Sequence, residues 1–256
     1  MRKLITLASL VALSMVGCTN EEPKGVANEK GAVNFDLTIS NEVDVTRAEG
    51  HYVECTTPDD DAFTLKIQGE GSLRECTFAE FAEDNYLHYG SYTVTAVAGD
   101  VAEEGYDKVA FAGSADFEVK VRENTEVAIT ATIANALVKV ETTEKFRNYF
   151  VGGHTMELTT EAGNTFDVSE QTKTLFVAPG EIVINATATK QANQSGAEGA
   201  VITLPEQKVN VAAQTFYTIK FDVADAGRAT LEIKLNETLV ESIDIEQELN
   251  DNAENA

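Results

Sequence analysis

Tryptophan is absent from this 256-residue sequence, and proline, cysteine and histidine are scarce, with four, three and three copies. The histidines, His51, His88 and His154, lie far apart, and no pair stands at a metal-ligand spacing. No Gly-x-Ser-x-Gly turn and no phosphate-binding glycine loop occurs, and Gly152-Gly153 reads as a turn. These absences point away from catalysis, from a metal centre and from a bound cofactor. Basic residues are also few, 19 against 43 acidic, for a formal net charge of −24. A chain this acidic is repelled by nucleic acid and by anionic membrane surfaces. The acid is spread through the sequence, as expected of a solvated exterior.

Only one segment is strongly apolar. Arg2 and Lys3 precede the run Leu4 to Val16, which is shorter than a membrane-spanning helix needs. The run ends at Met15-Val16-Gly17-Cys18. This resembles the end of a bacterial lipoprotein signal, where small residues precede the scissile bond and the following thiol receives the lipid. Residues 1–17 are therefore expected to be a signal peptide, with Cys18 lipidated and holding the protein at the outer membrane. Each buried acyl methylene contributes about 0.8 kcal/mol, so two or more chains anchor stably. Residues 18–31 read as a polar tether. Its opening, Thr19-Asn20-Glu21-Glu22-Pro23-Lys24, resembles the acidic export signal of surface-exposed Bacteroidota lipoproteins.

Beyond the tether, period-two alternation dominates. Val33, Phe35, Leu37 and Ile39 alternate with polar residues, as do Phe63, Leu65 and Ile67, then Phe117, Val119 and Val121. Similar runs continue to Leu239–Leu249. Short helices are expected at Thr77–Glu83 and Thr143–Phe150. Many short strands separated by turns predict an all-β chain of two antiparallel β-sandwich domains, transthyretin- or immunoglobulin-like in plan. An echo at an offset of 90 residues supports two related units. Tyr92-Thr93-Val94 aligns with Ile182-Val183-Ile184, Val119 and Val121 with Val209 and Val211, and Val127 and Ile129 with Tyr217 and Ile219. Gly90 and Gly180 precede the central strands. The first domain is placed at 32–140 and the second at 141–250, with 251–256 a polar tail.

Several motifs carry a family resemblance. They are Tyr89-Gly90-Ser91-Tyr92-Thr93-Val94-Thr95-Ala96, Tyr106-Asp107-Lys108, Phe111-Ala112-Gly113, Phe117-Glu118-Val119 and Ala134-Asn135-Ala136-Leu137-Val138-Lys139-Val140. Together they resemble an uncharacterised Bacteroidota surface lipoprotein domain, over about residues 33 to 150. The plan is also similar to that of the fimbrillins, lipoproteins of two transthyretin-like sandwiches that polymerise into adhesive filaments. In fimbrillins a protease cuts after an arginine beyond the first strand, and the emptied groove accepts a strand from the next subunit. The resemblance implies that Arg47, before Ala48, is a processing site, and that other fimbrial subunits are partners by strand exchange. Read without the resemblance, Arg47 is a linker arginine and the first strand stays.

Three smaller features complete the reading. Cys55 and Cys76 are the remaining cysteines and form a candidate disulfide in an oxidising compartment. Pro58-Asp59-Asp60-Asp61 is oxygen-rich but lacks calcium-loop spacing, and reads as a solvated turn. Tyr86, His88 and Tyr89 are either a small exposed cluster or a strand edge packed into the core. The expectation is a non-catalytic surface lipoprotein, a fimbrillin-like adhesin or fimbrial subunit. The alternative is a monomeric tethered module that binds a glycan or a partner protein.

Overall fold

Alternation becomes strand wherever one face can be buried. In the computed structural model, which describes residues 29–45, 51–52, 55–69, 71–190, 199–225, 229–236 and 238–244, every long element but two short helices is β. Strand β4 (Thr64–Gly69) buries Leu65 and Ile67 and turns Lys66 outward. Strand β7 (Gly90–Ala98) buries Tyr92, Val94, Ala96 and Ala98. Strand β10 (Asn124–Ile133) buries Val127, Ile129, Ala131 and Ile133.

These strands belong to a seven-stranded sheet with β5 (Ser72–Thr77), β9 (Phe111–Val119), β1 (Lys30–Ser40) and β6 (Tyr86–His88). Its order is β5-β4-β7-β9-β10-β1-β6. β9 meets β10 only where Phe111 and Ala112 face Ile133 and Thr132, so the sheet turns a corner there and encloses a core. The second half repeats the plan. One sheet contains β13 (Thr165–Asp167), β12 (His154–Thr160), β15 (Gly180–Thr189), β16 (Val201–Thr203) and β17 (Gln207–Val211). Facing it, β11 (Ala136–Thr142) lies between β18 (Thr215–Asp225) and β14 (Leu175–Val177). The hairpin β19 (Ala229–Leu235) and β20 (Thr238–Asp244) extends β18, and the C-terminal strand thus pairs within its own chain.

The all-β expectation holds, and most pairs are antiparallel. The departures are three parallel pairs: β1 with β10 and β11 with β18, which match one another, and a short one between β18 and strand β2 (Glu42–Val45). The sequence pattern of a strand does not distinguish the two pairings, whereas long intervening chain permits the crossover a parallel pair needs. The echo is physical: β7 and β15 each open on a glycine with positive φ, Gly90 at 144° and Gly180 at 156°. Each glycine faces a buried valine, Val119 and Val211. The second valine therefore lies two residues beyond the offset of 90, and Val121 is an exposed turn residue instead.

Both expected helices form, each started by a threonine cap. Helix α1 (Phe78–Glu83) carries a capping box between Thr77 and Glu80. In helix α2 (Glu144–Tyr149) the Thr143 hydroxyl accepts from Phe146 N. Phe81 and Phe146 are the buried residues of the two helices. Strand β11 spans the 140/141 position expected as a boundary, and its residues serve both cores. Leu137 packs into the first, while Ala136, Val138 and Val140 pack into the second.

Candidate functional site at the first strand

Strand β1 is registered against β10 over nine residues, Ala32 with Asn124 through Ser40 with Thr132. Its other edge meets β6 only at Lys30–Ala32. Val33 N then donates to Asn85 O at 2.9 Å. From Asn34 to Ser40, among the described residues, no strand pairs that edge. The inward side chains record this. Val33 is fully buried, but Phe35, Leu37 and Ile39 are only half-buried. Phe35 lies 4.6 Å from the Phe81 ring and 5.6 Å, edge-on, from Phe117. A groove of about 300 Å3 runs beside it, lined by Val33, Phe35, Phe78, Phe81 and Asn85 among others. The equivalent strand in the second half, β11, is closed: β14 pairs Ala136–Val138, and the Gln171 amide continues the ladder. Gln171 accepts from Val140 N at 2.8 Å and donates to Val138 O at 2.9 Å.

After β1 the chain crosses to the other half. Strand β2 (Glu42–Val45) lies parallel to the start of β18 and pairs with β3 (His51–Tyr52). Gln214 clamps it, accepting from Asp44 N at 2.8 Å and donating through its side chain to Glu42 O at 3.2 Å. Val43 is completely buried in the first core. Two inserted strands thus precede the Arg47 position.

A polar trough of about 640 Å3 lies elsewhere, where the first half reaches over the second. Strand β8 (Gly105–Tyr106) pairs with β14. The Tyr106 hydroxyl donates to Asp167 O at 3.2 Å. The His154 Nε2–H group donates to Ser169 O at 2.9 Å, and the Ser169 hydroxyl donates to Asp167 at 2.6 Å. That hydroxyl, with the Ser169 N–H, holds the Asp167 carboxyl below its ordinary range. Burial, then the nearby Asp167 charge, pushes the Tyr106 phenol up. Sequence reading missed this site, because residues 167–173 carry neither spacing nor periodicity. The sole signal was Tyr106 within a family motif.

Cys18, Arg47 and Ala48 lie outside the described residues. Cys55 and Cys76 both pack half-buried against the first core and are unbonded thiols, with pKa values raised by burial. The acidic run forms an exposed 3-10 turn at Asp60–Ala62. Among the described residues no group of three or more His, Cys, Asp or Glu is placed to hold a metal, and no helix is long and apolar enough to cross a membrane. Tyr86, His88 and Tyr89 are exposed, the two tyrosines by 54% each, which decides between their two readings.

Residues 29–251 match a family model described as Domain of unknown function (DUF4493). The chain belongs to the DUF4493 family. No curated protein matches the sequence. Solved structures with similarity include a fimbrial assembly protein from Parabacteroides distasonis, 12% identical, with a TM-score of 0.40 over 68% of this chain and 90% of that one. The fimbrial anchor protein Mfa2 from Porphyromonas gingivalis is 10% identical, with a TM-score of 0.43 over 83% of this chain and 99% of that one.

In this DUF4493 chain the motif residues tie the halves together. Asn135 accepts from Ala110 N through its side chain at 2.6 Å, and from Gln214 N through its carbonyl at 2.9 Å. A Cβ on Gly113 would stand 2.4 Å from Thr130 O, so at the Phe-x-Gly position β9 passes too close to β10 for a side chain. Asp107 pairs with Lys173 at 2.7 Å. Glu104, just before the Tyr106 motif, accepts from Thr160 Oγ1 at 2.6 Å, Asn164 Nδ2 at 2.7 Å and Ala178 N at 2.9 Å. Glu104→Ala leaves these donors without their acceptor and is expected to cost about 1.5–3 kcal/mol. Urea unfolding checks this: an unchanged midpoint would mean that water replaces the carboxylate without loss.

Proposed function

We propose that this protein is a non-catalytic cell-surface lipoprotein, anchored in the outer membrane through an acylated Cys18, and a fimbrillin-like adhesin or fimbrial subunit. The observation that carries the reading is the contrast between the equivalent strands β1 and β11. β11 is closed on both edges, whereas β1 leaves its edge open from Asn34 to Ser40 beside an apolar groove. A strand held along one edge only is the one that processing can remove, and the emptied groove beside β10 then accepts a strand from another subunit, whose backbone re-pairs the ladder and whose alternate side chains refill the core. The order of β1, β2 and then Arg47 fits processing that removes both strands together.

The N-terminus of the protein on cells tests the proposal. A chain beginning at Ala48 in surface oligomers supports a polymerising subunit. Only full-length chain beginning at an acylated Cys18, with no oligomers, sinks the subunit version and leaves a tethered adhesin. The anchor is tested separately by Cys18→Ala, which is expected to abolish flotation of the chain with membranes. A variant that still floats would refute anchoring at this residue.

A second reading, a monomeric module that binds a neutral glycan, is favoured by the polar trough. It presents Tyr106, His154, Asp167, Glu170 and Thr172 on one concave surface. Hydroxyl, carboxylate and imidazole groups around a phenol ring suit a polyhydroxylated ligand.

A further inference from the structure

One end of the first sheet combines exposed aromatic, aliphatic and basic side chains. The start of β1, the β6–β7 junction and the β9–β10 turn converge there. Tyr89 N donates to Glu29 O, Arg122 N to Lys30 O and Ala32 N to Glu123 O, each at 2.9 Å, and Lys30 is registered against His88. Three of the eight large exposed hydrophobic residues among those described lie on these elements: Tyr86 and Tyr89 at 54% and Val121 at 42% exposure. Lys30, Lys120 and Arg122 stand among them, with Arg122 at the turn tip in the left-handed region, φ 63°. Among the described residues of these three elements, the carboxylates are those of Glu29, Glu118 and Glu123. Three cations against three anions bring the local charge near balance, in a chain of net charge −24.

This is also the end at which the chain leaves for Cys18. Glu29 is eleven residues from that cysteine. A fully extended chain of that length reaches at most about 40 Å, so lipid on Cys18 confines this end to the neighbourhood of the bilayer. Tyrosine suits the bilayer interface, since its ring is apolar and its hydroxyl is wet. Lysine and arginine lay their stems on the apolar surface and keep their charge among headgroups. Tethering makes the contact intramolecular in effect, so a weak patch suffices.

We propose that Tyr86, Tyr89 and Val121, flanked by Lys30, Lys120 and Arg122, form a membrane-docking face. It seats the first sheet end-on against the zwitterionic headgroup layer of the bilayer that holds the Cys18 lipid. The proposal rests on the anchor reading above. Docking fixes the orientation of the protein, so that the second half and its trough point away from the membrane.

The test uses the full lipidated chain in phosphatidylcholine–phosphatidylethanolamine vesicles containing a lipid with a gadolinium-chelated headgroup. With three histidines in the chain, the imidazole signals of His88 and His154 can be resolved. The expected result is strong broadening of the His88 signal and little of the His154 signal. The triple variant Tyr86→Ser, Tyr89→Ser and Val121→Ser is expected to lose the His88 broadening while still floating with vesicles. Equal broadening of both signals in a floating wild-type chain overturns the docking face and leaves the anchor intact. Concentration-dependent broadening of His88 without vesicles also overturns it, in favour of a protein partner. A chain that does not float at all refutes the anchor, and the docking face with it.

Discussion

A chain that lacks residues 29–47 fails to close its first core, and an added peptide spanning residues 30–45 restores it. The deletion removes nine registered positions beside β10. It also removes fully buried Val33 and Val43, half-buried Phe35, Leu37 and Ile39, and the contacts of Phe35 with Phe81 and Phe117. At about 1.5–3 kcal/mol for each full burial, the apolar loss alone is on the order of 6–10 kcal/mol. Whole domains are stable by only about 5–15 kcal/mol. The measurement is hydrogen exchange of the β10 amides at residues 125–132. They should exchange rapidly in the deleted chain and regain protection with the peptide, while the β18 amides at residues 219–225, paired with β19, keep theirs. A deleted chain with protected β10 amides would show that β1 is dispensable, and the strand-acceptor reading would fail with it.

Phe146→Ala is the second large effect, confined to the other core. Phe146 is completely buried on α2, with its ring 4.7 Å from Phe150, 5.4 Å from His154 and 6.2 Å from Phe221. Its neighbours lie on a helix, on β12 and on β18, so no single element can move in to fill the space. A cost of about 3–5 kcal/mol is expected. For a chain of this size that is a fall of roughly 10 °C in Tm of the second half. Calorimetry should show the loss there, with exchange in β4 and β7 unchanged. A shift of less than about 3 °C would mean that the core collapses around the cavity more readily than close packing allows.

The sequence disclosed elements better than their pairings. The strands were legible because Leu65–Ile67 and Val127–Ile133 alternate over enough residues to fix a face. The helices were legible because Thr77 and Thr143 are caps placed before aromatic residues. The Val119 alignment slipped by two residues because a period-two pattern matches itself at every even shift. The two-residue strands β3 and β8, and the four-residue β2, are too short for any period. Their placement depends on Gln214, Glu104 and Asn135, whose bonds reach across long stretches of sequence. At the candidate site, the alternation of Val33 to Ile39 predicted a strand with one apolar face. That its outer edge is open follows from the shortness of β6, which ends its pairing at Ala32, and no residue of β1 encodes that. Arg47 and Cys18 rest on sequence, outside the described residues.

The parallel pairing of β1 and β10 has a mechanical consequence. Under the proposed anchor at Cys18, a pull from the membrane would enter at the Lys30 end of β1, and a pull on the second half would enter β10 at its other end, through Ile133 and β11. Because the two strands run in the same direction, these forces oppose each other along the strand axis. They slide one strand past the other, and the load is shared by the whole nine-residue register at once. An antiparallel pair loaded at neighbouring ends would unzip, its bonds breaking in succession. The strand whose outer edge is open would thus be loaded in shear along its paired edge, where all nine positions resist together.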